Sequence, residues 1–126
     1  MKIIKSHRDL EVYRQAFNTA LEIFEISKHF PKEERFELTQ QIRRSSRSVA
    51  ANISEGFRKR RYEKAFVAKL SDSEGESAET QVWLDFSLAH GYISKDTHSK
   101  LDDKYEQILA MLITMMNKPS KWSIRT

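Results

Sequence analysis

The pattern of apolar positions between residues 38 and 61 predicts a long amphipathic helix around which the chain is organised. Its apolar residues recur at spacings of three or four once Ser45 or Ser46 fills a missing turn: Leu38, Ile42, Val49, Ile53 and Phe57. A polar stripe follows beside them, formed by Gln41, Arg44, Ser48, Asn52 and Glu55. Thr39 is a plausible cap at the start, and Gly56 is expected to loosen the backbone before the basic run 58–61. We therefore expect one helix to supply core contacts, a polar seam and a cationic end.

A helix with two apolar sets is predicted before this segment. Ser6 and Asp9 have the spacing of a capping box, and Phe30 followed by Pro31 predicts the end of the helix. The main stripe consists of Leu10, Tyr13, Phe17, Leu21 and Phe24. Off this stripe lies a second set, Val12, Ala16, Ile23 and Ile26. This helix has more apolar surface than one partner would cover, which predicts burial on two sides.

The pattern after the basic run predicts a third helix whose centre is unusually polar. It begins near Tyr62 and carries apolar residues at both ends: Phe66, Leu70, Ala78, Val82, Leu84, Phe86 and Leu88. Residues 71–77 contain almost no apolar side chain. Gly75 lies inside this stretch and costs about 1 kcal/mol relative to alanine in a helix, so either the helix bends or another element packs closely there.

A fourth helix is predicted after Gly91, which is well placed as a helix C-cap residue. Ser94 can begin it, and Pro119 ends it. Its apolar positions are Leu101, Tyr105, Ile108, Leu109, Leu112, Ile113 and Met116. The tail at 120–126 either remains mobile or packs Trp122 against a neighbouring helix.

Four helices joined by short connections favour an all-α fold, an antiparallel up-and-down four-helix bundle. The chain has three glycines and two prolines in 126 residues, and no window alternates in the manner of a strand. We find no internal repeat and no linker. We therefore expect a single four-helix bundle domain over residues 1–126.

Several classes of enzyme and metal site lack the residues that they require. There is no cysteine, and none of the four histidines has another histidine three or four residues away. Glu55, Glu76 and Glu79 lack the Glu-x-x-His pairs of di-iron bundles. Glycine-rich phosphate loops and nucleophile elbows are also missing from the sequence. We expect no enzymatic activity, catalytic residue, metal or cofactor, although a triad assembled from distant segments would leave no local signature.

The apolar windows are too short for a signal peptide or a membrane-spanning helix, and the lack of cysteine fits a reducing compartment. We therefore expect a soluble, cytoplasmic protein with no membrane partner.

The polar seam has two interpretations. Its residues either form a solvated face or pair across the bundle with Glu76 and Glu79 of the third helix. We favour pairing, because the apolar deficit of the third helix coincides with those carboxylates. An Arg44–carboxylate pair would be charge-assisted and would specify register more than stability. The sequence leaves open whether Arg44 pairs with Glu76 or with Glu79.

The net charge of +4 is unevenly distributed. Nine Lys or Arg and only two Glu lie between residues 43 and 69, whereas residues 72–85 contain five acids and no cation. The candidate nucleic-acid-binding residues are Arg43, Arg47, Arg58, Lys59, Arg60, Arg61 and Lys64. The alternative, a solvated corner that needs no partner, is nearly as well supported. Phe57 and Tyr62 could stack on unpaired bases, but such residues more often belong to a core.

The chain also resembles a known family, the small four-helix bundle proteins encoded in intervening sequences of bacterial 23S ribosomal RNA genes, which includes the accessory protein of diversity-generating retroelements. The pattern is Phe-Pro-x-x-Glu, Gln-hydrophobic-Arg-Arg and Ser-hydrophobic-x-x-Asn-Ile-x-Glu-Gly. Its residues here are Phe30, Pro31, Glu34, Gln41, Ile42, Arg43, Arg44, Ser48, Val49, Asn52, Ile53, Glu55 and Gly56. Ser45 and Ser46 replace the alanines that usually follow the arginine pair. The resemblance implies a ring-like homopentamer, with nucleic-acid binding attributed to basic surface in the retroelement relative.

Two functions remain in view. The first is a non-enzymatic, oligomeric accessory protein that binds the RNA or DNA backbone through the basic surface. The second is a protein-interaction or structural module without a nucleic-acid role, in which the basic corner of one subunit meets the acidic 72–85 face of the next. The expected partners are further copies of the chain, RNA or DNA in the first function, and another protein in the second.

Overall fold

The computed structural model describes residues 3–122 and contains four α-helices connected by short segments. They are α1 (Glu11–Ser27), α2 (Leu38–Arg58), α3 (Glu63–Ala89) and α4 (Lys95–Asn117). Short 3-10 helices lie at His7–Asp9, Lys32–Glu34 and Pro119–Lys121. α3 packs on α2 and α4, and α1 packs on the same two helices. The predicted all-α four-helix bundle is confirmed, and no strand occurs between residues 3 and 122.

The predicted capping box before α1 is present, but it caps a 3-10 turn. Ser6 Oγ accepts a hydrogen bond from Arg8 N at 3.1 Å, and Asp9 Oδ2 accepts one from Ser6 N at 3.1 Å. α1 itself begins after Leu10, at Glu11, and ends at Ser27, before the predicted end near Phe30.

The core face of α1 is the set that the sequence pattern ranked second, so that prediction was wrong. Val12, Ala16 and Ile23 are buried, whereas Phe17 and Leu21 of the predicted main stripe are 46% and 52% exposed. Thr19 completes the buried stripe, because its hydroxyl donates to Gln15 O at 2.7 Å and needs no other partner. Because threonine is polar, Thr19 interrupted the apolar pattern of this stripe, and the sequence therefore did not identify the stripe as the core face.

α2 follows its prediction closely on the core side. The five predicted apolar residues are buried, and Ser45 and Ser46 fill the missing turn with almost no exposure. Two details were wrong. Thr39 is buried inside the first turn, with Glu37 in the cap position. Gly56 lies within the helix, where a Cβ atom would be 3.2 Å from Leu70 Cδ2, so it permits close approach of α3 rather than loosening the backbone.

The polar centre of α3 belongs to the core. Ser73 and Ser77 are fully buried, and hydroxyl-bearing residues continue the stripe between the apolar ends of the helix. Ser73 Oγ donates across to Val49 O of α2 at 2.8 Å, and Thr80 Oγ1 donates to Ser45 Oγ at 2.8 Å. Small hydroxyl side chains therefore allow α2 and α3 to approach while their polar atoms stay paired. The complete buried set is Phe66, Leu70, Ser73, Ser77, Thr80, Leu84 and Ser87.

Three apolar residues predicted for the core of α3 face outward instead. Ala78 is exposed, and Val82 and Phe86 are 46% and 47% exposed. Gly75 is also exposed, and nothing lies within 4 Å of a Cβ built there. Close packing therefore does not explain this glycine.

The connection to α4 is formed as predicted. Gly91 has φ +79°, and the amide of Tyr92 donates to Ser87 O at 2.8 Å, as in a Schellman cap. Ser94 Oγ then accepts a hydrogen bond from Thr97 N at 3.0 Å at the start of α4. The structure therefore confirms both cap predictions.

The buried residues of α4 are Leu101, Tyr105, Ile108, Leu112 and Met115. The predicted position Ile113 is 43% exposed. Trp122 packs against the core beside Leu10 and Met111, so this part of the tail is anchored. Residues 123–126 lie outside the described part of the chain. Among residues 3–122, none of the helices combines the length and hydrophobicity that a membrane span requires.

Candidate nucleic-acid interface

The Arg44 guanidinium bridges two carboxylates of α3. Arg44 Nη1 lies 3.3 Å from Glu76 Oε2, and Arg44 Nη2 pairs with Glu79. Trp83 Nε1 donates to the same Glu79 carboxylate at 3.1 Å. The two alternatives left open by the sequence are thus both realised. Because about half of the Arg44 side chain is exposed, the pair contributes about 0–1 kcal/mol and serves mainly to set the register of α2 against α3.

The rest of the polar seam divides into one ion pair and a local contact. Lys69 Nζ lies 2.9 Å from Glu55 Oε2, and this hydrogen-bonded cation lowers the pKa of Glu55. Asn52 Nδ2 donates to Ser48 O within its own helix. Within residues 3–122, Gln41, Ser48 and Asn52 make no side-chain hydrogen bond to another helix. The seam therefore contacts α3 through its two charged residues, Arg44 and Glu55.

Arg43 and Arg47 are organised around an aromatic ring of α1. The guanidinium carbons of Arg43 and Arg47 lie 4.5 and 5.4 Å from the centroid of the Phe24 ring, and Lys28 Nζ lies 5.0 Å from it. Arg43 Nε also donates to Ser27 Oγ at 2.7 Å. Phe24 and Ser27 are uncharged, so they orient Arg43 and Arg47 without neutralising them, whereas Lys28 is paired with Glu25. The apolar stripe of α1 predicted a core position for Phe24, and no pattern within α1 indicates this contact with the arginines of α2.

The corner between α2 and α3 keeps most of its charge. Arg60 folds back on the end of α2: its Nη1 donates to Phe57 O at 2.7 Å, and its guanidinium carbon lies 3.6 Å from the centroid of the Phe57 ring. Burial, and secondarily Arg58, lowers the pKa of Arg60, but guanidinium groups remain charged at neutral pH. Four predicted phosphate-binding residues are exposed and form no ion pair with any described carboxylate: Arg58, Lys59, Arg61 and Lys64.

The two aromatic residues considered for base stacking have different environments. Phe57 is 2% exposed and belongs to the core, covered by Arg60. Tyr62 is 66% exposed beside the basic corner. Only Tyr62 of this pair can therefore present its ring to an unpaired base.

Arg43, Arg47 and Arg58 lie on one face of α2 and define a basic strip, with about three helical turns between Arg47 and Arg58. At 3.6 residues per turn they fall within about 60° of one another, and at 1.5 Å per residue the strip is about 22 Å long. Ala51 and Ser54 lie between Arg47 and Arg58 on this face, and their small side chains do not block access to it. Such a strip spans many charges of a duplex, which carries about one per 1.7 Å of its axis.

A groove beside this strip collects four arginines. It has a volume of about 610 Å³ and is lined mainly by the first half of α2 and by the residues just before it. The lining residues are Arg35, Phe36, Thr39, Gln40, Arg43, Arg44, Arg47, Ser48 and Ala51. Arg35 and Phe36 were not predicted as site residues, because residues 32–37 have no periodic pattern that would place them beside α2.

The family-pattern residues Phe30 and Glu34 stabilise the end of the bundle that lies opposite the α2–α3 corner. Tyr92 OH donates to Glu34 Oε2 at 2.9 Å, which raises the pKa of Tyr92. The rings of Phe30 and Tyr92 lie 5.5 Å apart. These contacts join the α1–α2 connection to the α3–α4 turn, so this part of the pattern has a structural role.

No cluster of three or more potential metal-ligating His, Asp or Glu side chains occurs in the described part of the chain. The fold and surface define a helical-bundle protein with a basic face and no assembled centre for metal chemistry among residues 3–122. Residues 8–114 match the family model described as 23S rRNA-intervening sequence protein. The chain therefore belongs to the 23S rRNA-intervening sequence protein family, as its motifs predicted.

A solved structure supports the same fold. The chain is similar to a protein of unknown function from the S23 ribosomal protein family of Bacteroides thetaiotaomicron, with a TM-score of 0.75 and 25% sequence identity. The similarity covers 84% of this chain and 95% of that one. No curated protein matches the chain. Neither the family description nor this structure names an enzymatic activity.

Proposed function

We propose that this protein is a non-enzymatic nucleic-acid-binding bundle whose basic surface contacts the phosphates of RNA or DNA. One observation carries the proposal. Of the nine cations between residues 43 and 69, only Arg44 and Lys69 form ion pairs with carboxylates in the described chain. The other seven have no carboxylate partner there, although Arg60 is folded onto Phe57 and Arg43 also bonds to Ser27. Their charges can attract phosphate, and the release of condensed counterions would drive binding.

Self-association forms part of the proposal. Phe17 and Leu21 on α1, and Val82 and Phe86 on α3, leave apolar surface uncovered on two sides of the bundle. Burial of such surface between copies is favourable, and a ring would repeat the basic strip around one assembly. The family resemblance favours a homopentamer, and the cytoplasmic location expected from the sequence is retained.

Charge reversal tests the phosphate contacts directly. We expect Arg58→Glu and Arg61→Glu each to weaken the affinity for a fluorescently labelled duplex, because each replaces an attraction to phosphate by a repulsion. Lys95→Glu is the matched control, since Lys95 is exposed at the start of α4, at the opposite end of the bundle. Fluorescence anisotropy at fixed salt measures the three affinities. Equal loss in all three variants would leave only a net-charge effect and would contradict a defined interface.

The alternative is a protein-interaction module in which the basic corner contacts an acidic face of another copy. The acidic residues of the 72–85 stretch support it, because Asp72, Asp85 and Glu74 lie on the outer part of α3. The same Arg58→Glu and Arg61→Glu variants distinguish the two functions by light scattering. Dissociation of the assembly with unchanged nucleic-acid affinity would favour the interaction module.

A further inference from the structure

Phe36 is the most exposed large hydrophobic side chain among residues 3–122, at 77%. A single exposed apolar residue needs no explanation by itself. Its position does, because Phe36 lines the groove that also contains Arg35, Arg43 and Arg47. An exposed aromatic ring thus lies within a groove lined by arginines.

The contacts of Phe36 leave its ring available. The guanidinium carbon of Arg35 lies 5.3 Å from the centroid of the ring, which is cation–π geometry. This contact orients Phe36 but covers little of it, as its exposure shows. Exposed aromatic rings flanked by arginines are the combination by which proteins hold single-stranded nucleic acid, with stacked bases and a backbone in a positive groove.

We propose that this groove binds a single-stranded segment, with one unpaired base stacked on Phe36 and the adjoining phosphates held by Arg35, Arg43 and Arg47. The inference rests on the nucleic-acid function proposed above and specifies its substrate class. Bases inside a duplex are already stacked on one another and cannot offer a face to the ring. Duplex regions would therefore contact only the cationic strip, and single-stranded loops or ends would gain the additional stacking contact.

The test compares single-stranded and duplex oligonucleotides on wild-type protein and on Phe36→Ala. Stacking on an aromatic ring contributes about 5- to 150-fold per base, so we expect a loss in that range for the single strand and almost none for a blunt duplex. The salt dependence should not change, because no charge is removed. Ile113→Ala is the matched control: it removes a half-exposed large apolar side chain of α4 outside this groove. We expect Ile113→Ala to bind the single strand as wild type does.

A second aromatic residue at position 36 tests whether the ring itself supports single-strand binding. Phe36→Trp should restore single-strand affinity, and its added indole fluorescence should be quenched on binding relative to wild-type protein. Unchanged single-strand affinity in Phe36→Ala, or an equal loss on both ligands, would overturn the inference while leaving the phosphate interface intact. A change in assembly mass with unchanged single-strand affinity would assign Phe36 to a protein contact and would also overturn it. Failure of the wild-type protein to bind either ligand would instead reject the proposed function.

Discussion

Two glycines in neighbouring helices provide a direct test of how closely α2 and α3 pack. A Cβ at Gly56 would lie 3.2 Å from Leu70 Cδ2 and 3.3 Å from Lys69 Cβ, and Leu70 is fully buried. A Cβ at Gly75 would meet nothing within 4 Å. Replacing glycine by alanine in a helix gains up to about 1 kcal/mol of helix propensity, and overpacking a core costs about 1–3 kcal/mol. The first effect acts at both sites and the second only at Gly56.

We therefore expect Gly75→Ala to raise the free energy of unfolding by about 0.5–1 kcal/mol, because the site is open and helical. Gly56→Ala should be less stable than Gly75→Ala by about 1–3 kcal/mol, the cost of forcing the two helices apart or shifting Leu70. Urea denaturation followed by circular dichroism measures both values. Equal stabilisation by the two substitutions would show that α2 and α3 do not approach as closely as the structure indicates.

Three further predictions, made with four substitutions, concern buried and charged groups. Ser73→Ala should lose about 0.5–1.5 kcal/mol of unfolding free energy, because the Ser73 hydroxyl bonds across to α2. Ser77→Ala should lose less, because the Ser77 hydroxyl bonds within α3. Equal losses in urea titrations would refute this. Tyr105→Phe should raise the melting temperature, because the buried phenol oxygen makes no hydrogen bond of normal geometry in the described chain and has only a weaker interaction with Thr80; a lower melting temperature would contradict this. Glu55→Gln should be less stable than wild type near neutral pH. Lys69 holds the pKa of Glu55 below its ordinary 4.5, so the greater stability of wild-type protein should disappear as the pH falls through the lowered pKa. If wild-type protein stayed more stable than Glu55→Gln in acid, the ion pair would be excluded as the cause.

The helices were predictable from sequence where apolar residues alone form the core stripe. The buried positions of α2 were found because five large apolar residues keep the period and only one turn is filled by serines. In α3 the stripe passes through Ser73, Ser77 and Thr80, whose hydroxyls bond to nearby carbonyls or to Ser45. Hydrophobicity gives no signal for such residues, so the exposed Val82 and Phe86 were assigned to the core in error.

The candidate site was predictable only in part. The cation-rich segment and the Arg44 contacts followed from charge and helical spacing. The folding of Arg60 onto Phe57 did not, because it depends on the geometry of the helix end. Arg35 and Phe36 were missed for a different reason: they belong to a short connection whose position beside α2 is set by the tertiary fold.

The most direct measurement of the central claim is the salt dependence of duplex binding by wild-type protein and by an Arg47→Gln/Arg58→Gln variant. If uncompensated cations on α2 contact phosphates, log K should fall steeply with log salt, with a slope of about 0.9 per phosphate contact. The double variant should then have a slope smaller by about 1.8, because two contacts are removed. A flat response in wild-type protein, or identical slopes for the two proteins, would contradict the account.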